Sequence, residues 1–128
     1  MPPGQYEVRV DGKLIGNWSH VLLGTKVELQ EIPKTPQYQQ SLAIAELNRR
    51  RYDEFVRPTR DRMASIKGLK RRFAIDSDEY ARRAEPILAS IQELQSGADQ
   101  LDREIRELAQ PACRQWDIRR VDTPSQSK

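Results

Sequence analysis

Scarcity bounds the chemistry of this sequence before any motif is sought. It holds one cysteine, Cys113, and one histidine, His20. A four-ligand structural zinc site draws on those residue types, so the chain cannot build one. A single cysteine leaves no internal disulfide framework, though it could bridge to another chain in an oxidising setting. Aromatic residues make up 6% of the 128 positions, which leaves a mostly aliphatic core. No run of about 18 apolar residues occurs, which argues against membrane insertion. The opening Met1-Pro2-Pro3-Gly4 has neither the charged start nor the apolar stretch of a secretory signal. The expected location is therefore a cytoplasm, or a particle assembled in one. The glycines form neither a phosphate loop nor a dinucleotide fingerprint. His20 follows Ser19, but a triad is built across a fold and not by adjacency. Asp53-Glu54 and Asp78-Glu79 read as helix-surface and helix-start residues. No catalytic residue, metal ligand or cofactor is expected, and the chain reads as non-enzymatic.

Charge, by contrast, is abundant. Charged residues are 32% and hydrophobic residues 37% of the chain, with a mean hydropathy of −0.82. That is leaner in apolar residues than an ordinary globular domain. An elongated helical or oligomeric protein fits better. The expected fold is mainly α: a long helical hairpin or coiled coil carrying a small N-terminal β-meander. Residues 1–35 form the strand docking module, 36–118 the helical region, and 119–128 a flexible tail.

Within the first module, Tyr6, Val8 and Val10 alternate with Glu7 and Arg9, the period of a half-buried strand. Asp11-Gly12 follows, the dipeptide that supplies positive φ at both centres of a type I′ turn. Lys13 to Trp18 is the returning strand, with a bulge expected at Gly16. Val21-Leu22-Leu23 and Lys26 to Ile32 predict a second, weaker hairpin. Pro33 and Pro36 close the module, and Thr35 or Gln37 opens the helical region. Helix is expected over 37–74 with one interruption near Pro58, then a turn over 73–77 and a second helix over 78–112. Asp76 or Ser77 caps that helix, and Asp78-Glu79 complement its dipole.

The second helix carries the strongest periodic signal. Tyr80, Ala84, Ile87, Ile91, Leu94, Ala98, Leu101, Ile105, Leu108 and Ala112 follow one another in alternating steps of four and three, a heptad seam. Pro86 predicts a kink or restart within it, and Gly97 costs about 1 kcal/mol relative to Ala. The first helix has an interrupted stripe: Leu42, Ala45, Tyr52, Val56, Met63, Ile66 and Phe73. Ile87, Ile91, Leu94, Leu101, Ile105 and Leu108 are the expected interface, either with further copies of this chain or with a larger assembly.

The two helices are oppositely charged. Residues 42–73 carry ten Lys and Arg against four acids, and residues 76–118 carry five Arg against ten acids. Such charges can select a pairing partner and its orientation. Alternatively, the basic stretch is a nucleic-acid face, with Arg49, Arg50, Arg51, Lys70, Arg71 and Arg72 on phosphates. Cys113, after the last seam position, is a small semi-buried residue or an interchain disulfide.

The run Tyr6-Glu7-Val8-Arg9-Val10-Asp11-Gly12-Lys13-Leu14-Ile15-Gly16-Asn17-Trp18, with Val27-Glu28-Leu29 and Ile32-Pro33, resembles the strand modules of phage tail-fibre assembly proteins and related tail accessories. About a quarter of the chain carries the likeness. The rest of the chain departs from the tail-fibre chaperone pattern: its acidic-tryptophan ending is absent, and Gln115-Trp116-Asp117 is a poor substitute. The resemblance implies a small virion or assembly protein. Together these features predict a non-enzymatic structural component that oligomerises or docks through its long heptad helix.

Overall fold

The computed structural model describes residues 1–121. It is mainly helical with one small antiparallel sheet, and the chain divides into a sheet unit and a helical unit.

The sheet unit begins with β1 (Gln5–Val10) and β2 (Lys13–Ser19). Asp11 and Gly12 join them with φ of 49° and 82°, the doubly positive geometry that their side chains predict. Val8 pairs with Gly16 but Arg9 pairs with Leu14, so Ile15 is the extra residue of a bulge. The bulge lets Ile15 join Tyr6, Val8 and Val10 in the buried set. Gly16 is needed for space: a Cβ there would lie 2.7 Å from the Trp18 ring.

Two expectations fail in this unit. No second hairpin forms over 21–32. Ser19 instead caps a short helix, α1 (His20–Thr25), its Oγ accepting from Leu22 N–H at 3.2 Å, and a 3₁₀ turn follows at Leu29–Glu31. A run such as Val21-Leu22-Leu23 fits strand or helix equally, and the serine cap decides between them. The third strand comes instead from the far end of the sequence. β3 (Trp116–Val121) pairs with β1, giving the order β2-β1-β3. The helical region therefore ends well before 118, and Arg119, Arg120 and Val121 belong to the sheet and not to a tail. Residues 122–128 of the expected tail lie outside the described residues.

Asp11 fastens β3 at its start. Its Oδ1 accepts from Gln115 N–H at 2.9 Å and its Oδ2 from Arg114 Nη1 at 3.1 Å, while Asp11 N–H donates to Gln115 O at 2.8 Å. The Gln115 amide first, and Arg114 second, hold the Asp11 carboxyl below its ordinary value. Thr35, fully buried, caps α2 (Pro36–Arg51): its Oγ1 accepts from Tyr38 N–H at 3.2 Å and donates to Ile32 O at 2.9 Å. Pro36 takes the first helical position, where a missing N–H costs nothing.

In the helical unit, α2 runs through a π turn at Tyr52–Val56 into α3 (Arg57–Arg72). Pro58 is the physical reason. Its nitrogen cannot donate, and its ring would strike the carbonyl four residues back. The π turn widens the backbone at that point: Arg57 N–H donates to Tyr52 O, five residues back. Thr59 Oγ1 then donates to Phe55 O at 2.6 Å. The interruption expected at Pro58 is thus an inserted residue, and the helix does not break.

That insertion also explains why the first arm's stripe was misread. Counting back from Phe73 by fours and threes gives Leu69, Ile66, Arg62, Thr59 and Phe55. All but Arg62 are buried or half-buried, and Arg62 Nε donates to Ser90 Oγ at 3.3 Å. The same count continues to Tyr52, Asn48 and Ala45, which are exposed. One position earlier, Arg51, Leu47 and Ile44 are half-buried. Leu42, Tyr52 and Met63 of the expected stripe are each about half exposed.

After the turn at 73–77, α4 (Asp78–Leu108) begins at Ser77, whose Oγ accepts from Tyr80 N–H at 3.2 Å. Pro86 lies inside α4 without ending it, and the helix stops at Leu108, short of Ala112. Ile66 packs with Ala84 and Ile91, and Leu69, Tyr80 and Ile87 close around them. Farther along, Phe55 covers Gly97 so closely that a Cβ there would lie 2.1 Å from its ring. Partners fall in number on one helix as they rise on the other, which is antiparallel packing.

Candidate functional site

Four of the six expected interface residues lie only partly buried or exposed. Ile91 and Leu101 are buried, Ile87, Leu94 and Ile105 are half-buried, and Leu108 is exposed at the helix end. Over Ala84 to Ile91, the chain's own α3 supplies the covering side chains. Outside the seam, Met63 and Leu88 flank a shallow groove floored by Ile66 and Ile91 and edged by Lys67 and Lys70.

The six basic residues do not form one face. Arg49–Arg51 and Lys70–Arg72 are separated by about 30 Å of helix at 1.5 Å per residue. Arg49 binds Glu46 at 2.6 Å and Asp53 at 3.1 Å, and Arg50 reaches Glu54 at 3.5 Å. These pairs run along one helix. The Arg49 hydrogen bond holds the Glu46 carboxyl below its usual value, and Glu46 in turn raises the guanidinium's. Arg51 belongs to the half-buried row, and its Nε is buried without a hydrogen-bond partner among the described residues. Arg72 stacks on Phe73 at 5.4 Å, with Arg83 over the same ring at 4.9 Å. Lys70 edges the groove, and Arg71 is exposed.

His20 and Cys113 also have definite places. His20 Nδ1 accepts from Gly4 N–H at 3.2 Å, and His20 N–H donates to Gly4 O at 2.9 Å. The imidazole is therefore a brace between the N-terminal segment and the end of β2. Cys113 is exposed, not semi-buried, and is a free thiol. Among the described residues no group of three or more His, Cys, Asp or Glu gathers to hold a metal, and no helix is long and apolar enough to cross a membrane.

The sheet unit contains a cavity that sequence reasoning missed. It measures about 380 Å³ and is walled by Trp18, Leu22, Val27 and Ile32. Lys26, Glu28 and Glu31 stand at its rim. The local folding explains the arrangement. Ser19 turns the chain into α1 directly after Trp18, which brings Leu22 beside the indole. Lys26 N–H donates to Leu22 O at 3.1 Å, and the 3₁₀ turn returns Ile32 to the same wall. Gly16 leaves room for the indole to lie down. Lys26 is paired with Glu28, and Gln30 Nε2 donates to the second oxygen of that carboxylate. The available signal was Ser19-His20 ahead of three apolar residues, Val21-Leu22-Leu23, which reads as capped helix once strand pairing is set aside.

No family model matches the sequence, and no curated protein matches it, so neither bears on the likeness to tail-fibre accessories. A solved structure does match: a gut microbial diltiazem-metabolizing enzyme, at a TM-score of 0.68 and 23% identity over 94% of this chain. The chain spans about a third, 32%, of that enzyme's length. This finding corrects the expectation of a non-enzymatic structural protein, because the fold of nearly the whole chain is shared with part of an enzyme.

Proposed function

We propose that this chain is a module of an enzyme that transforms small organic molecules, with the reacting groups supplied by protein beyond these 128 residues. One observation carries the reading: nearly the whole chain shares its fold with a third of a drug-metabolizing enzyme. The residues here agree with a supporting role. The single histidine braces the sheet, the carboxylates with lowered pKa are committed to arginines or to a backbone amide, and the single thiol stands exposed.

The architecture of the helical unit belongs to the same reading. α2, the π turn and α3 form one arm of a long antiparallel hairpin, and α4 forms the other, packed as a two-stranded coiled coil. The heptad seam of α4 and the single-residue offset in the first arm support this.

Diltiazem turnover tests the reading. The protein is isolated from its source with any covalently continuous or bound partner retained, and drug loss is followed by mass spectrometry. A purified 128-residue chain is run beside it. The native preparation is expected to convert diltiazem or another compound of a small-molecule panel, and the isolated chain is expected to leave it unchanged. Turnover by the isolated chain would overturn the placing of the reacting groups elsewhere. No conversion by either preparation would overturn the enzyme reading itself.

A further inference from the structure

We propose that the cavity beside Trp18 binds a small organic cation, an amine or quaternary ammonium attached to an apolar body about the size of one ring. Its volume of about 380 Å³ falls within the range of small-ligand pockets, about 300–1,000 Å³. Trp18, Leu22, Val27 and Ile32 offer apolar area, and an indole attracts a cation through its quadrupole more strongly than any other side-chain ring.

The sign of the ligand follows from the rim. Three charged groups stand there, and two of them satisfy each other. Lys26 is bound to Glu28, and Gln30 takes the remaining Glu28 oxygen. The Glu31 carboxylate has no hydrogen bond or ion pair among the described residues, although the Glu31 backbone is held by its N–H bond to Glu28 O at 3.0 Å. One uncompensated negative charge therefore faces a largely apolar opening. An anion would meet that charge without a free cation to offset it. A neutral molecule would gain only the walls. A cation with an apolar body gains the walls, the ring and the carboxylate together.

The backbone around the cavity is fixed in advance of any ligand. Ser19 caps α1, Leu22 O accepts from Lys26 N–H, and Ile32 N–H donates to Leu29 O at 3.2 Å. Gly16 fixes where the indole rests. Binding at this place does not depend on the enzyme reading, and its failure would leave that reading standing.

Benzyltrimethylammonium is the probe, with benzyl alcohol and benzoate as neutral and anionic counterparts. The chain has two tryptophans, so the Trp116→Phe variant makes Trp18 the sole fluorescent reporter. Saturable quenching by the cation at millimolar concentration is expected, with each counterpart about tenfold weaker. Glu31→Gln is expected to weaken the cation about two- to fivefold and leave benzyl alcohol unchanged. Leu22→Asp, which leaves the reporter in place and puts charge into the wall, is expected to abolish binding of benzyl alcohol. Ligand-observed magnetic resonance gives the same readings independently of quenching. No saturation up to about 20 mM, equal affinity for all three probes, or indifference to Glu31→Gln would each overturn the proposal.

Discussion

The sheet unit and the helical unit are held by opposite strategies. The sheet joins residues distant in sequence: Asp11 grips Arg114 and Gln115, and β1 pairs with β3 from the far side of the helical excursion. The helical unit is built from local turns whose register is set by counting along the chain. Long-range pairing needs particular donors and acceptors, whereas the helices need a particular number of residues between apolar positions. The lesson is that chemistry specifies the first unit and spacing the second.

Overfilling the close approach in the helical unit gives the largest expected effect. Gly97→Ala gains about 1 kcal/mol of helix propensity. Its new Cβ, however, would lie 2.1 Å from the Phe55 ring, well inside contact, so the overpacking cost is expected at or above the top of the usual range of about 1–3 kcal/mol. A net loss of stability is expected in denaturant titration. In a Phe55→Leu background the same change is expected to stabilise, since the obstructing ring is gone. A stabilising effect in both backgrounds would show that Phe55 does not rest on Gly97.

Helix caps sharpen the comparison at intermediate size. Thr35 and Ser77 each accept from the backbone amide three residues on, but Thr35 is fully buried and Ser77 is not. Capping substitutions to Ala cost about 0.5–2 kcal/mol. Thr35→Ala is expected near the top of that range and Ser77→Ala near the bottom, measured by thermal unfolding. Reversal of this order would mean that burial adds nothing to the sheet unit's cap.

Acidification should separate the two units most gently. The Asp11 carboxyl is held below its ordinary 3.8 by Gln115 and Arg114. A depressed folded-state pKa contributes stability that is present above the ordinary value and lost as pH falls through the folded one. Hydrogen exchange of β3 amides is therefore expected to speed up below the ordinary carboxylate range. Asp11→Asn is expected to remove that pH dependence and to raise β3 exchange at neutral pH. Unchanged β3 protection in the variant would show that strand pairing alone holds β3.

What was legible in the sequence follows the same division. The type I′ turn at Asp11-Gly12 and the capped start at Ser77 announce themselves locally, and both are observed; of the periodic apolar positions on α4, Ile91 and Leu101 are buried. β3 was invisible because Trp116, Ile118 and Val121 are partly exposed and make sense only once β1 is beside them. The π turn was hidden because Pro58 signals that something happens but not that one residue is added. The cavity at Trp18 was lost with the mistaken hairpin over 21–32, since a strand would have sent Leu22 and Ile32 elsewhere. The fold shared with part of the diltiazem-metabolizing enzyme was not legible either, because no motif in the sequence pointed to it.

The added residue at Tyr52–Val56 acts as a phase shifter on a rotary scale. One residue turns a helix by about 100°, and the π turn absorbs one extra residue, so Arg51, Leu47 and Ile44 carry on the half-buried row that ends at Phe55. Straightening that segment to regular α-helix without removing a residue would swing Ile44, Leu47 and Arg51 away together and bring Ala45, Asn48 and Tyr52 around. A substitution in the same place would alter one side chain. At its present length the stretch therefore depends on the π turn, and removing one residue from it would let regular helix carry the same three side chains in the row.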